Sequence, residues 1–344
     1  MVSRREAGHP DGVQLREFGP DDAAAVATYV DIQNACIALD SPWRPPSTEH
    51  GVAMSLTHGW DGEPARAFLV EAHGATVGWA AIGTSQRDNL ELAWLDTVVH
   101  PDHRRRGVAS AVVGALHDEC RRIGRPLVGL DGWDTEGTRA FAASVGYDAK
   151  SVSVSRRQSV RALGPAFFEA AYAEAVPYAE DYELLRIAGR SPEELHEPLA
   201  LVAASINDAP LDELEMEDEV YSAERISAFE HAQVESGRRL YRVVARHRRT
   251  GELAGHSVVS IEGDTPTHGD QWDTSVVAGH RGHRLGLLLK ADQGRWLCEA
   301  EPQLTALDTW NAASNDHMVG VNLRLGYEVL ARAVEFQRRL AGLP

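Results

Sequence analysis

One pattern, written twice 177 residues apart, restricts what this chain can fold into more than any other feature. The stretch Asp96-Thr97-Val98-Val99-His100-Pro101-Asp102-His103-Arg104-Arg105-Arg106-Gly107-Val108-Ala109 aligns without a gap with Asp273 to Gly286. Downstream, Leu130-Asp131-Gly132-Trp133-Asp134 falls on Leu307-Asp308-Thr309-Trp310-Asn311, and after a three-residue slip Gly146-Tyr147 meets Gly326-Tyr327. A period this long means duplicated domains; solenoid repeats run about 20–50 residues.

Each copy reads as a β-branched run that enters a helix through a basic, glycine-bearing turn. In the second copy the run is Thr274-Ser275-Val276-Val277 and the turn and helix span His280 to Lys290. The first N–H groups of such a helix have no intrahelical partner and point at the turn, so an anion, phosphate above all, suits that place. The alternative is an ordinary strand-to-helix turn, against which the duplication with matching flanks weighs.

Hydrophobic periodicity and turn signals give the same element order in both halves, β-α-α-β-β-β-α-β-α-β. In the first half the expected hairpin, Arg66 to Ala72 and Thr76 to Gly83, is closed by His73-Gly74-Ala75. In the second half Asp270 to Val277 and Gln303 to Leu307 are expected strands, opening from one another into a slot. The alanine-rich run from Ala162 to Tyr178 reads as a linking helix. The expected division is residues 1–163, a linker at 164–180, and residues 181–344, each half an α/β unit on a mixed sheet.

At 344 residues and 43% hydrophobic content, two cores are affordable. The net charge is −17, and residues 1–170 carry 17 basic against 22 acidic residues while the rest carry 17 against 29. That balance argues against nucleic acid as a partner. Cys36, Cys120 and Cys298 form no C-x-x-C pair, which fits a reducing cytoplasm rather than a disulfide framework. The first ten residues have no apolar run behind their arginines, and no segment has about 18 uncharged apolar residues, so neither export nor membrane insertion is expected. His103 and His280 align with no spaced metal-ligand partners, so no metal is expected.

The first turn, V-x-P-x-x-R-x-x-G-x-A from Val99 to Ala109, resembles the acyl-CoA pyrophosphate loop of the GNAT N-acyltransferase superfamily. The chain as a whole is similar to tandem, two-domain members of that superfamily. In the second copy Arg281 and Gly286 hold their places, but Arg284 stands where the motif has its first glycine and Ala278 replaces the proline.

The resemblance implies acetyl-CoA as co-substrate and acetyl transfer to the primary amine of a small molecule, with a cationic amine as one candidate class. It assigns CoA binding to Val99, Arg104, Arg105, Arg106, Gly107, Val108 and Ala109 in the first half. In the second it assigns Val276 and Val277, whose amides would face the thioester carbonyl; Gly282, His283, Arg284, Leu285 and Gly286, which would wrap the diphosphate; and Arg281 or Lys290, which would add charge. Asp270 stands where the family often has its general base, and Ala93 occupies that place in the first half; a solvated turn aspartate is the other reading. Asn322 replaces the family's tyrosine proton donor, matched by Ala142, and could hold the thiol. Asn311 and Asn315 lie beside it, Asn315 also suiting a helix cap. Asp96 and Asp273, present in both halves, read as structural.

Between the two helices that usually cover the acceptor site, residues 208–219 hold seven acids in twelve positions. Asp208, Asp212 and Glu213 are the candidates for attracting a cationic amine, against the plainer reading of a solvated charge run. These features make the second half the expected catalyst and the first a scaffold or acyl-CoA holder. The rival expectation is a non-catalytic acyl-CoA-binding or sensing protein.

Overall fold

The computed structural model describes residues 12–342 except His73, so the expectation drawn from the first ten residues and the first position of the expected hairpin turn lie outside them. No helix among the described residues is long and apolar enough to cross a membrane. The expected element order is present in both halves.

The first half runs β1 (Val13–Phe18), α1 (Ala23–Asp40), α2 (Glu49–His58), β2 (Arg66–Ala72), β3 (Ala75–Gly83), β4 (Leu92–Val99), α3 (Val108–Arg122), β5 (Leu127–Trp133), α4 (Glu136–Ser144) and β6 (Asp148–Gln158). Then come α5 (Val160–Ala175), β7 (Tyr182–Ala188), α6 (His196–Ala203), α7 (Ala223–Glu235), β8 (Arg238–His247), β9 (Leu253–Glu262), β10 (His268–Val276), α8 (Leu285–Ala300), β11 (Ala306–Ala312), α9 (Asp316–Arg324) and β12 (Tyr327–Arg339).

The chain divides into two compact units, but not at the expected boundary. The first holds the residues up to Gly59, Glu63–Lys150 and those from Val334 on; the second holds Trp60–Gly62 and Ser151–Ala333. The cause is a trade of last strands. In the first unit β5 is flanked by the end of β12, whereas in the second β11 pairs antiparallel with β6, from Leu307↔Gln158 to Ala312↔Ser153. β6 and β12 follow the matching Gly-Tyr pairs of the two copies, so each can take the other's place at little cost, the condition under which elements swap. Nor is α5 a free linker, since Phe168 is fully buried in the second unit's core against Gly294 of α8.

In the first unit β1 to β4 are antiparallel neighbours and β4 meets β5 in parallel. Its core sets Val26 and Ile32 of α1 against Leu69 and Trp79, while α3 buries Val112, Val113 and Leu116. The second unit repeats this with β7 to β10 antiparallel and β10 parallel to β11. Leu285, Leu288 and Leu289 of α8 and Phe168 of α5 join one core, and Leu199 and Ala203 of α6 with Ile226 of α7 join the other, around Val244.

The strand expected at Gln303 to Leu307 lies later, at Ala306–Ala312, because Glu301 is pinned by Arg239 and Tyr241 and the chain turns before it pairs. This also revises the repeat. Leu92 pairs with Leu127, 35 residues on, whereas His268 pairs with Ala306, 38 residues on. The three-residue slip therefore falls before β11, and the helix caps Thr135 and Asn315 correspond. Asp131 matches Asn311, not Asp308.

Candidate active site

Parallel pairing between β10 and β11 stops after three residue pairs, ending at Asp270↔Asp308. Beyond it the strands part: the Thr309 hydroxyl, not a backbone N–H, reaches the Gln271 carbonyl, at 3.1 Å. The first unit does the same, with pairing ending at Trp94↔Gly129. Each unit thus has a slot whose floor is lined by strand backbone.

In β10 the register slips between Gln271 and Thr274, so an extra residue stands opposite β9 there. Such a bulge re-aims side chains, and here Trp272 sends its Nε1–H to Ser260 Oγ at 2.7 Å. Asp273, the next residue, lies among Glu219, Arg225 and Arg242. Burial, then Glu219, pushes its carboxyl up to about 6 against the pull of the two arginines. β4 has no such slip. Its counterpart Asp96 is open to solvent yet hemmed in by protein, as on a cleft floor, and burial with Asp131 pushes it, too, up to about 6.

The turns before α3 and α8 share one conformation with the glycines exchanged. Arg105 and Gly107 have φ of 63° and 80°; Gly282 and Arg284, in the same two places, have 87° and 52°. Arg284 keeps the left-handed shape where a glycine was expected, at about 1–2 kcal/mol of strain. Its guanidinium lies 3.8 Å from the Tyr178 ring centroid and bonds Glu174 at 3.0 Å. Neither α3 nor α8 has a side-chain cap, and a Cβ added at Gly107, Gly282 or Gly286 would meet nothing within 4 Å. The leading amides are open to a bulky anion.

Strand backbone supplies one more donor. The Val277 N–H is spent on the Ala254 carbonyl at 2.9 Å, so, by the alternation along a strand, the N–H of Val276 faces the slot. In the first unit His100 bonds Val77 in the same way, leaving Val99 to face its slot.

Comparison with known proteins agrees with this geometry. Residues 34–147 match the Acetyltransferase (GNAT) family. A mycothiol acetyltransferase of Parafrankia sp. (strain EAN1pec) is 32% identical over 148 residues, which make up 42% of this chain and 42% of that protein; less than half of the relative's length is matched. A tandem GNAT protein from the clavulanic acid biosynthesis pathway, solved without AcCoA, superposes with a TM-score of 0.79 at 25% identity, covering 95% of this chain and 98% of that one.

Residues 34–147 thus carry the GNAT pattern, and the chain as a whole is similar in fold to a tandem GNAT protein. A GCN5-related N-acetyltransferase from Sphaerobacter thermophilus, with a TM-score of 0.68, 17% identity and 96% coverage of both chains, shares the fold.

Several expected site residues stand elsewhere than expected. Asp270 lies where β10 and β11 are still paired; the carboxylate beyond the parting is Asp273, read from sequence as structural. Asp96 and Asp273 were findable, since both copies carry an aspartate there, but no pattern marks a bulge. Arg281 bonds the Val276 carbonyl at 3.0 Å and Asp208, and Arg104 bonds the Val99 carbonyl at 3.0 Å and Asp40. These arginines brace the turns from behind, their charge already matched. Lys290 is buried below the turn and cannot reach a diphosphate there.

Asn315 accepts from the Met318 N–H at 3.2 Å as a helix cap. Leu285 and Val108 anchor their helices in the cores. His283 packs on Tyr182, while Arg105 and Arg106 are exposed at the first turn, beside Ala109 in its helix's first turn.

The acidic loop is largely a clamp. Asp208 holds Arg281, and Asp212 accepts from Ser151 at 2.7 Å and Ser314 at 2.6 Å, while Glu219 takes Arg225 at 3.1 Å. Glu213 is exposed. Among the described residues no group of three or more His, Cys, Asp or Glu could hold a metal.

Proposed function

We propose that this protein transfers an acetyl group from acetyl-CoA to the primary amine of a small molecule, and that the second unit does the chemistry. The bulge that carries Asp273 past the parting of β10 and β11 supports this most strongly. It aims a carboxyl with a pKa near 6 at a slot that also offers the Val276 amide.

In this reading the diphosphate rests on the uncapped start of α8, with Gly282 and Gly286 leaving it room. Asp273, ionised above pH about 6, takes a proton from the incoming ammonium, since only the neutral amine is nucleophilic. The amine attacks the thioester carbonyl, and the Val276 N–H stabilises the oxyanion that develops. The tetrahedral intermediate collapses, the thiolate of CoA departs, the nitrogen's extra proton passes through water to that thiolate, and the neutral amide remains.

In the first unit the charge of Asp131 acts on Asp96, and Ala142 stands where the second unit has Asn322. With an open glycine turn but no donor for a departing thiolate, it is assigned as an acyl-CoA holder. The test is a screen for thiol release from acetyl-CoA over a panel of amines. Turnover that survives Asp96→Asn and is lost in Asp273→Asn supports the assignment, and the reverse pattern moves catalysis to the first unit. Acyl-CoA binding without turnover of any amine would favour a sensing role.

A further inference from the structure

Lys290 is buried on α8, its Nζ 2.6 Å from Asn322 Oδ1 and 4.6 Å from the centroid of the Tyr327 ring. Asn322, fully buried on α9, passes its Nδ2–H to Asn311 Oδ1 at 2.7 Å. Asn311 is half-buried near the end of β11, three residues beyond the last paired residue, level with Asp273 across the slot. We propose that Lys290 is a positioning residue that makes Asn322 and Asn311 a one-way chain of hydrogen-bond donors directed at the sulfur of coenzyme A. The proposal rests on the acyl-CoA reading of the second unit.

The direction follows from what each group can do. An ammonium has three donors and no acceptor, so it holds the oxygen of Asn322 toward itself. The amide nitrogen of Asn322 must then turn to Asn311 and occupy its oxygen. What Asn311 has left for the slot is its NH2. Each bond polarises the next, so a charge buried out of reach strengthens the donor that meets the ligand. A thiol or thiolate is the acceptor that the reaction produces there.

Packing does not require this chain. In the first unit the corresponding positions are Val113, Ala142 and Asp131; the first two are buried apolar residues. Asp131 accepts from Trp94 Nε1 at 3.0 Å and carries no amide NH2 such as Asn311 has. A buried ammonium costs free energy, and burial alone, with no carboxylate opposing it, pulls the pKa of Lys290 down to about 7. The second unit retains a costly polar chain where its duplicate uses methyl groups.

Titration calorimetry of the full-length protein at pH 6, below the value of about 7 at which Lys290 loses its charge, with coenzyme A and with desulfo-coenzyme A, which lacks only the thiol, separates sulfur recognition from the rest of the ligand. Wild type is expected to prefer coenzyme A by about tenfold, the worth of one charge-assisted hydrogen bond. Lys290→Met should erase the preference while leaving desulfo-coenzyme A binding unchanged. Asn311→Ala, at a half-buried position on β11, should do the same if Lys290→Met fails to fold. Equal affinities in wild type, or a preference that survives Asn311→Ala, overturn the inference while leaving the acyl-CoA reading in place. Failure to bind either ligand overturns the acyl-CoA reading, and the inference with it.

Discussion

A carboxyl held near pKa 6 is a poor investment for stability and a good one for proton abstraction. For Asp273 the folded-state value lies above the ordinary 3.8, so the folded chain binds more protons than the unfolded one between pH about 4 and 6. Its contribution to stability is thus present below pH about 4 and lost as pH rises through about 6. Asp273→Asn is expected to raise Tm at pH 7 relative to wild type, read by calorimetry, while lowering kcat by about 10²–10⁴-fold. Asp270→Ala, upstream of the slot, should leave kcat near the wild-type value. The profile of kcat/KM should fall on the acid side with a midpoint near pH 6, and Asp273→Asn should remove that limb.

At the scale of elements, the two turns show one geometry reached by two sequences. Both need two residues in the left-handed region, and each spends one glycine and one arginine on them. Gly282→Val puts a β-branched side chain at φ 87° and should destabilise the protein by roughly 1–2 kcal/mol, seen as a lower urea midpoint. At Gly107 a Cβ meets nothing, so Gly107→Glu acts chiefly by placing a carboxylate among the amides meant for a diphosphate. Acyl-CoA should then bind with about one site fewer per chain, as counted by titration calorimetry. An unchanged stoichiometry would mean that the first unit holds none.

For the molecule as a whole, the trade of last strands decides what can be cut. A fragment from residue 181 on lacks α5 with Phe168 and the β6 residues 151–158, on which the second unit's core and the edge of β11 depend. A fragment ending at Lys150 lacks Val334–Arg339, which flank β5. Neither fragment is expected to melt cooperatively by circular dichroism. A cooperative transition in either would show that its missing strand is dispensable.

By itself the sequence determined the duplication, the order of elements, the two glycine turns and the family resemblance, because these rest on local chemistry. Left-handed turn residues, the caps at Thr135 and Asn315, and the continuous apolar run that buries Phe68, Leu69 and Val70 each act within a few residues of themselves. Only the tertiary structure decided which last strand flanks β5 and which flanks β11, since β6 and β12 carry the same pattern and either can satisfy the same edge. It also separated two aspartates and matched the charges. Asp270 and Asp273 look alike in one dimension, but the first still lies within the paired part of β10 and β11, while the second lies beyond it, in the bulge defined only against β9. Arg104, Arg281 and Asp208 read as ligand groups until the fold supplies their partners, because a charge is available to a ligand only if no nearer opposite charge has claimed it. Lys290 could be seen as a lysine near a phosphate turn, but its burial against Asn322 depends on a helix more than thirty residues away.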